Sequence, residues 1–132
     1  MAKLAVIDAG ALIALYDPDD AHHPWAISVF AETSNYELAM SPLTMAEVMV
    51  YPAKEGALEN FKSGIQGLGV LIKPLDAADS EQLALLRSSS GLKMPDVVVL
   101  QLAQKTSASV ITTDYQVSKI ARSLGLASFC PS

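Results

Sequence analysis

The sequence predicts an α/β fold, a doubly wound parallel sheet flanked by helices in a single domain, and three observations lead there. Short apolar runs recur along the chain, in the form taken by strands buried on both faces. Stretches with helical start and stop signals separate them, opened by Ser or Pro and in one case closed by Gly. The 132 residues, 51% of them apolar, suffice for one real core but not for two.

Residues 4–7 form a continuous apolar run that ends at Asp8, the first strand. Residues 11–15 give a short helix. Asp17-Pro18-Asp19-Asp20 is a turn, and Pro24 opens a helix carrying Trp25, Ile27, Val29 and Phe30. A second strand covers 38–40. Ser41 then caps the next helix with Pro42 in its first turn, and Leu43, Ala46 and Val50 mark its buried face, with Glu47 among them. A helix over 57–68 and a strand over 70–73, stopped by Pro74, lead to a helix over 77–88. Pro95-Asp96 opens a helix running through 97–105. Residues 110–112 are a strand, 117–124 a helix ended by Gly125, and 127–129 a last edge strand. Strands alternating with helices give a parallel sheet covered on both faces, whose ligands bind beyond the carboxyl ends of the strands.

The formal net charge of −5 argues against a phosphate-binding surface made of basic residues. Bound divalent cations would reverse that sign locally. Cys130 is the only cysteine, so no internal disulfide forms, which fits a reducing cytosol. The apolar start faintly resembles a signal peptide, but Asp8 interrupts it. No uncharged run reaches the roughly 18 to 20 residues of a membrane helix. The expectation is a soluble, cytoplasmic protein with no membrane contact.

Four acids stand where such a sheet gathers its ligands: Asp8, Glu47, Asp96 and Asp114. Asp8 and Asp114 each follow a strand and precede a helix, so each is equally readable as a helix cap. Asp96 sits in a first turn, where the helix macrodipole favours a carboxylate, and it shares a face with Val99, Leu100 and Ala103. Thr44 and Glu47 have capping-box spacing, yet Ser41-Pro42 is the better start. That places Glu47 in the second turn on the expected core face, costly unless paired or bound to metal. No Lys or Arg occurs between Lys3 and Lys54. Three Asp and a Glu without basic partners make a hard oxygen site suited to Mg²⁺ or Mn²⁺.

Taken in order, these stretches resemble the PIN domain family. Residues 6–15 (VIDAGALIAL) are similar to its opening motif, 41–48 (SPLTMAEV) to its second, 95–103 (PDVVVLQLA) to its third and 111–114 (ITTD) to its fourth. Asp17-x-Asp19-Asp20-x-His22-His23 is similar to a common turn of the family. The resemblance covers essentially the whole chain, and it implies one PIN domain over 1–132. A solitary domain of this size resembles the VapC toxins, the ribonuclease half of bacterial toxin–antitoxin pairs. Gly10 stands where the family often has a hydroxyl or amide residue, and Gln116 where it often has a second Asp or Asn. Val97, Val98 and Val99 replace small residues. Whether one metal binds or two stays open.

The resemblance implies that the four carboxylates hold Mg²⁺ or Mn²⁺ against a scissile RNA phosphate, activating a water for in-line attack. The products would be a 5′-phosphate and a 3′-hydroxyl. It further implies an RNA substrate such as tRNA or rRNA, a cognate antitoxin that places a basic side chain against the acids, and a homodimer. Asp8 and Asp96 are the first candidates for direct ligands, then Asp114; Glu47 acts directly or through water. Thr112 and Thr113 are candidates to contact phosphate or orient Asp114, or are ordinary strand-end hydroxyls. Lys93 and Lys119 are candidates to meet phosphates, or are solvated lysines. His22-His23 reads as local structure at a helix start, and Met40, Met45 and Met49 as core packing. Two other readings stand beside this one: a catalytically silent PIN binding module, and a phosphoacceptor receiver domain. For the latter, Asp8 lacks a paired acid and Asp76 is displaced past Pro74.

Overall fold

The computed structural model describes residues 3–132; Met1 and Ala2, part of the expected domain over 1–132, lie outside the described residues. The chain runs β1 (Leu4–Ile7), α1 (Ala9–Tyr16), α2 (His23–Glu32), β2 (Glu37–Met40), α3 (Pro42–Lys54) and α4 (Leu58–Gln66). It continues with β3 (Leu71–Ile72), a 3-10 turn (Ala77–Asp79), α5 (Ser80–Ser90), α6 (Met94–Thr106), β4 (Ser109–Ile111), α7 (Tyr115–Ser123) and β5 (Ser128–Phe129). All strand pairs are parallel, in the order β3-β2-β1-β4-β5. This order differs from the 2-1-3-4-5 of receiver-type sheets. From β1 the chain winds outward through β2 to β3, then returns to build β4 and β5 on the other side. The switch point, where α/β folds bind ligands, therefore lies between β1 and β4.

Side-chain alternation along β1 divides the core in two. Ala5 and Ile7 face a layer with Leu12, Phe30, Met40, Met45 and Val48 from α1, α2, β2 and α3. Val6 and Val110 face the other layer, with Leu86, Val97, Leu100, Val117 and Ala121 from α5, α6 and α7. Helix α6 is buried along its whole middle, Val97 through Ala103, which accounts for the three consecutive valines. Met40 and Met45 are core residues and Met49 packs against them, as the sequence suggests.

The local signals act where they were read. Ser41 caps α3, its hydroxyl accepting from the Thr44 N–H at 3.1 Å. Helix α2 starts at His23 with Pro24 in its first turn, and His23 Nδ1 lies 2.7 Å from the Ala14 carbonyl, a local structural role. The expected helix over 77–88 divides into the 3-10 turn and α5, because Asp76 and Asp79 form a reciprocal capping box.

One expectation is overturned. The face of α3 that carries Leu43, Ala46, Glu47 and Val50 is solvent-exposed, with Leu43 at 41% and Val50 at 52%. The buried face is Thr44, Met45 and Val48. Thr44 can go inside because its hydroxyl pairs with Ser41 at 3.1 Å, so no polar group is stranded. The strand expected over 70–73 is reduced to β3, an edge whose two residues are exposed.

Candidate active site

The carboxyl edge of the sheet gathers acids because Asp8 directly follows β1, Asp114 caps α7 three residues past β4, and Asp96 and Glu47 sit in the early turns of α6 and α3. Asp8 ends β1, and its N–H donates to the Ile111 carbonyl at 2.9 Å. It also caps α1, accepting from the Ala11 N–H at 2.7 Å through Oδ1. Its second oxygen, Oδ2, accepts from the Thr112 hydroxyl. Thr112 is fully buried, and the same hydroxyl accepts from the Asp114 N–H at 2.9 Å. One side chain thus ties the carboxylate after β1 to the backbone after β4. Asp114 caps α7, accepting from the Gln116 N–H at 2.8 Å and the Val117 N–H at 3.4 Å. The cap and site readings of Asp8 and Asp114 are compatible: capping fixes each carboxylate at the edge.

Asp96 occupies the first turn of α6, half-buried, with Val99, Leu100 and Ala103 continuing into the core below it. Glu47 stands exposed on α3, which packs against α6.

The electrostatics connect all four. Burial pushes the Asp8 carboxyl up to about 6 against its two hydrogen bonds, and the charges of Asp96 and Asp114 raise it further. Asp96 is raised by partial burial and by Asp114, with Lys93 opposing. Glu47 is raised by partial desolvation of its carboxylate and by Asp96. None of the four makes an ion pair among the described residues; the ion pairs there join Lys62 to Glu59 and Lys105 to Asp79.

Such a donor set, all hard oxygen and without an ion pair among the described residues, suits Mg²⁺ or Mn²⁺. Asp8 is pre-oriented for it, since each oxygen keeps a lone pair beyond the bond it already accepts. As the side chains lie, no group of three His, Cys, Asp or Glu among the described residues is close enough to hold an ion. Asp8, Asp96 and Asp114 act on one another's charge, and Asp96 on Glu47, without forming a coordination sphere.

The remaining candidates fall on both sides of the line. Lys93 precedes α6, exposed, near enough to Asp96 to act on its charge. Lys119 is exposed on α7, with no bond to the acids among the described residues. Thr112 orients Asp8 as well as the Asp114 backbone, a link between distant residues that no local pattern carries. Thr113, half-buried, stands over Gly10, where an added Cβ would collide with its Oγ1. Cys130 comes close enough to Asp8 and Asp114 to feel their charges; burial raises its thiol pKa first of all. A cleft of about 440 Å³ is lined by Tyr16, Tyr51 and Phe61 together with Asp17, Asp19 and Glu47. Of the four acids only Glu47 reaches it.

A family model described as PIN domain matches residues 5–123. No curated protein matches the sequence. Among solved structures, a toxin–antitoxin complex from Klebsiella pneumoniae is similar at 24% identity, covering 86% of this chain and 89% of that one, with a TM-score of 0.70. VapBC2 from Rickettsia felis, bound to a DNA fragment from its promoter, shares 14% identity over 98% of this chain and 99% of that one, TM-score 0.70. Mycobacterium tuberculosis VapC20, described as a toxin cleaving the sarcin–ricin loop, shares 15% over 88% and 94%, TM-score 0.73. At these identities the likeness is one of fold.

Proposed function

The chain belongs to the PIN domain family, and from that premise we propose that it is a metal-dependent endoribonuclease, the VapC-type toxin of a toxin–antitoxin pair. The observation that carries this reading is the acid edge itself: Asp8, Asp96 and Asp114 act on one another's charge and Asp96 on Glu47, with no ion pair to any of them among the described residues. A bound Mg²⁺ or Mn²⁺ would supply charge neutralisation for the phosphate and a lowered pKa for the attacking water. Asp8 and Asp96 would hold it directly, with Asp114 beside them. Glu47, exposed at the rim, would position water. Thr112 keeps the Asp8 carboxylate aimed outward, and Lys93 would meet the substrate backbone.

The solved structures similar in fold include toxins crystallised with antitoxins, which supports an antitoxin as partner. The cleft beside Glu47, aromatic and rimmed by Asp17 and Asp19, suits a segment carrying apolar and basic side chains. A homodimer belongs to the same reading, and the exposed Leu43 and Val50 on α3 offer it apolar surface. The substrate would be a structured RNA, tRNA or rRNA, in the cytoplasm.

Cleavage assays on purified protein test the reading. RNA should be cut with Mg²⁺ or Mn²⁺ and left intact with EDTA, and Asp8→Asn should abolish cutting while keeping the native far-UV spectrum. RNA binding without cutting by the wild type would favour the silent module instead.

A further inference from the structure

Two adjacent threonines follow β4, and the structure gives them different work. The Thr112 hydroxyl is buried and engaged at both ends, by Asp8 and by the Asp114 N–H. Thr113 is half-buried, and its hydroxyl makes no hydrogen bond among the described residues. It hangs over the first turn of α1. A Cβ added at Gly10 would strike Thr113 Oγ1, and it would lie 3.6 Å from Asp8 Oδ1. A free hydroxyl donor therefore stands beside the carboxylate at the head of the acid edge.

Gly10 needs a reason. Glycine is a poor helix residue, and Gly10 lies inside α1 without the positive φ seen at Gly56, Gly69, Gly91 and Gly125. Backbone freedom does not explain it; the volume taken by Thr113 does.

On the nuclease reading given above, we infer that Thr113 contacts the substrate, its hydroxyl donating to a phosphate oxygen of the strand to be cut, and that Gly10 is the space in which it does so. An acid cluster repels the phosphate oxygens that face away from a metal, so an uncharged donor there holds them without adding competing charge. Thr112 is committed to positioning, which leaves the Thr113 hydroxyl for this.

A double-mutant cycle on the full chain tests it, with a short RNA, saturating Mn²⁺ and five variants: Thr113→Ala, Thr113→Val, Thr113→Ser, Gly10→Ala and the Gly10→Ala/Thr113→Ala double variant. Thr113→Ala and Thr113→Val should each lower kcat/KM about tenfold, mainly through KM, with Mn²⁺ affinity and melting temperature unchanged. Thr113→Ser should stay within about twofold of wild type. Gly10→Ala should cost about as much as Thr113→Ala, because it displaces the hydroxyl. Added to Thr113→Ala it should cost nothing further, since the remaining Cβ atom at 113 lies 3.8 Å from the new methyl, ordinary contact. Wild-type kcat/KM in Thr113→Val would overturn the substrate contact, as would a parallel loss of Mn²⁺ affinity. Additive losses in the double variant would overturn the assignment of Gly10. A wild type that does not cut RNA would defeat the nuclease reading itself, visible in the control before any variant is compared.

Discussion

Asp8 and Asp79 are carboxylates of nearly equal burial, 6% and 4% exposed, that have been driven in opposite directions. Asp79 accepts from the Asp76 N–H at 3.0 Å, from Lys105 Nζ at 2.9 Å and from Gln101 Nε2 at 2.9 Å, and these bonds lower its pKa to about 2. Gln101 Oε1 has no hydrogen-bond partner among the described residues. Asp8 has two neutral donors, is pushed up to about 6 by burial, and faces Asp96 and Asp114 where Asp79 faces a lysine. A buried carboxylate kept for structure is neutralised from within the fold. One kept unneutralised at a switch point is arranged for something that arrives.

The largest effect that separates the two regions is on activity. Asp8→Asn and Asp96→Asn should each lower Mn²⁺-dependent RNA cleavage by more than about a hundredfold, since Asn keeps the shape and loses the charge. Asp79→Asn should leave the rate per folded molecule unchanged. Gel assays on all three, at matched folded concentration, would collapse the comparison if Asp79→Asn were as damaging as Asp8→Asn.

The pH dependence of stability should follow with opposite signs. Between its ordinary 3.8 and its folded value of about 6, Asp8 binds more protons folded than unfolded, so stability declines as pH rises through that window, by about 3 kcal/mol from this group. The Asp8→Asn variant should not show that decline. For Asp79 the folded pKa is the lower one: its contribution is present above about 4 and lost as pH falls towards 2. Asp79→Asn should therefore be destabilised at neutral pH and match wild type at pH 2. Denaturant melts across pH in EDTA would show both curves; a wild-type minus Asp8→Asn difference that is flat from pH 4 to 7 would contradict the first.

Metal should relieve the strain of the first region alone. Free Mn²⁺ at about a hundredfold above its dissociation constant stabilises by about 2.7 kcal/mol, several degrees in a domain of this size. That shift should survive Asp79→Asn and fall to about half or less in Asp8→Asn. The smallest effect belongs to Glu47→Gln. Being exposed, it should change metal-free stability by less than about 0.5 kcal/mol, upward if at all, while shrinking the Mn²⁺ shift. A clear loss of stability with an intact shift would remove Glu47 from the site.

Much of this was legible in the sequence for physical reasons. Strands buried on both faces must be apolar throughout, so β1, β2 and β4 announce themselves, and Ser41-Pro42 is a start signal that little else imitates. Asp8 and Asp114 stood out because each follows a strand and precedes a helix, Asp96 and Glu47 because each sits early in a helix. The face of α3 was not. The helix is apolar nearly all round, so periodicity could not choose between Leu43, Ala46, Val50 and the true core set of Thr44, Met45 and Val48. The choice turned on the Ser41–Thr44 pair making a buried threonine tolerable. Glu47 feels the charge of Asp96, but from the exposed face of α3 and not from the core face the sequence suggests. The Asp76–Asp79 capping box was readable from its spacing, whereas the Thr112–Asp8 bond spans 104 positions and has no local trace.

The most direct test is Mn²⁺ binding by titration calorimetry without substrate, on wild type, Asp8→Asn and Asp79→Asn. Wild type and Asp79→Asn should bind with the same affinity, and Asp8→Asn should bind at least about tenfold more weakly. Equal binding by Asp8→Asn, or none by the wild type, would contradict the claim that this edge of the sheet awaits a cation.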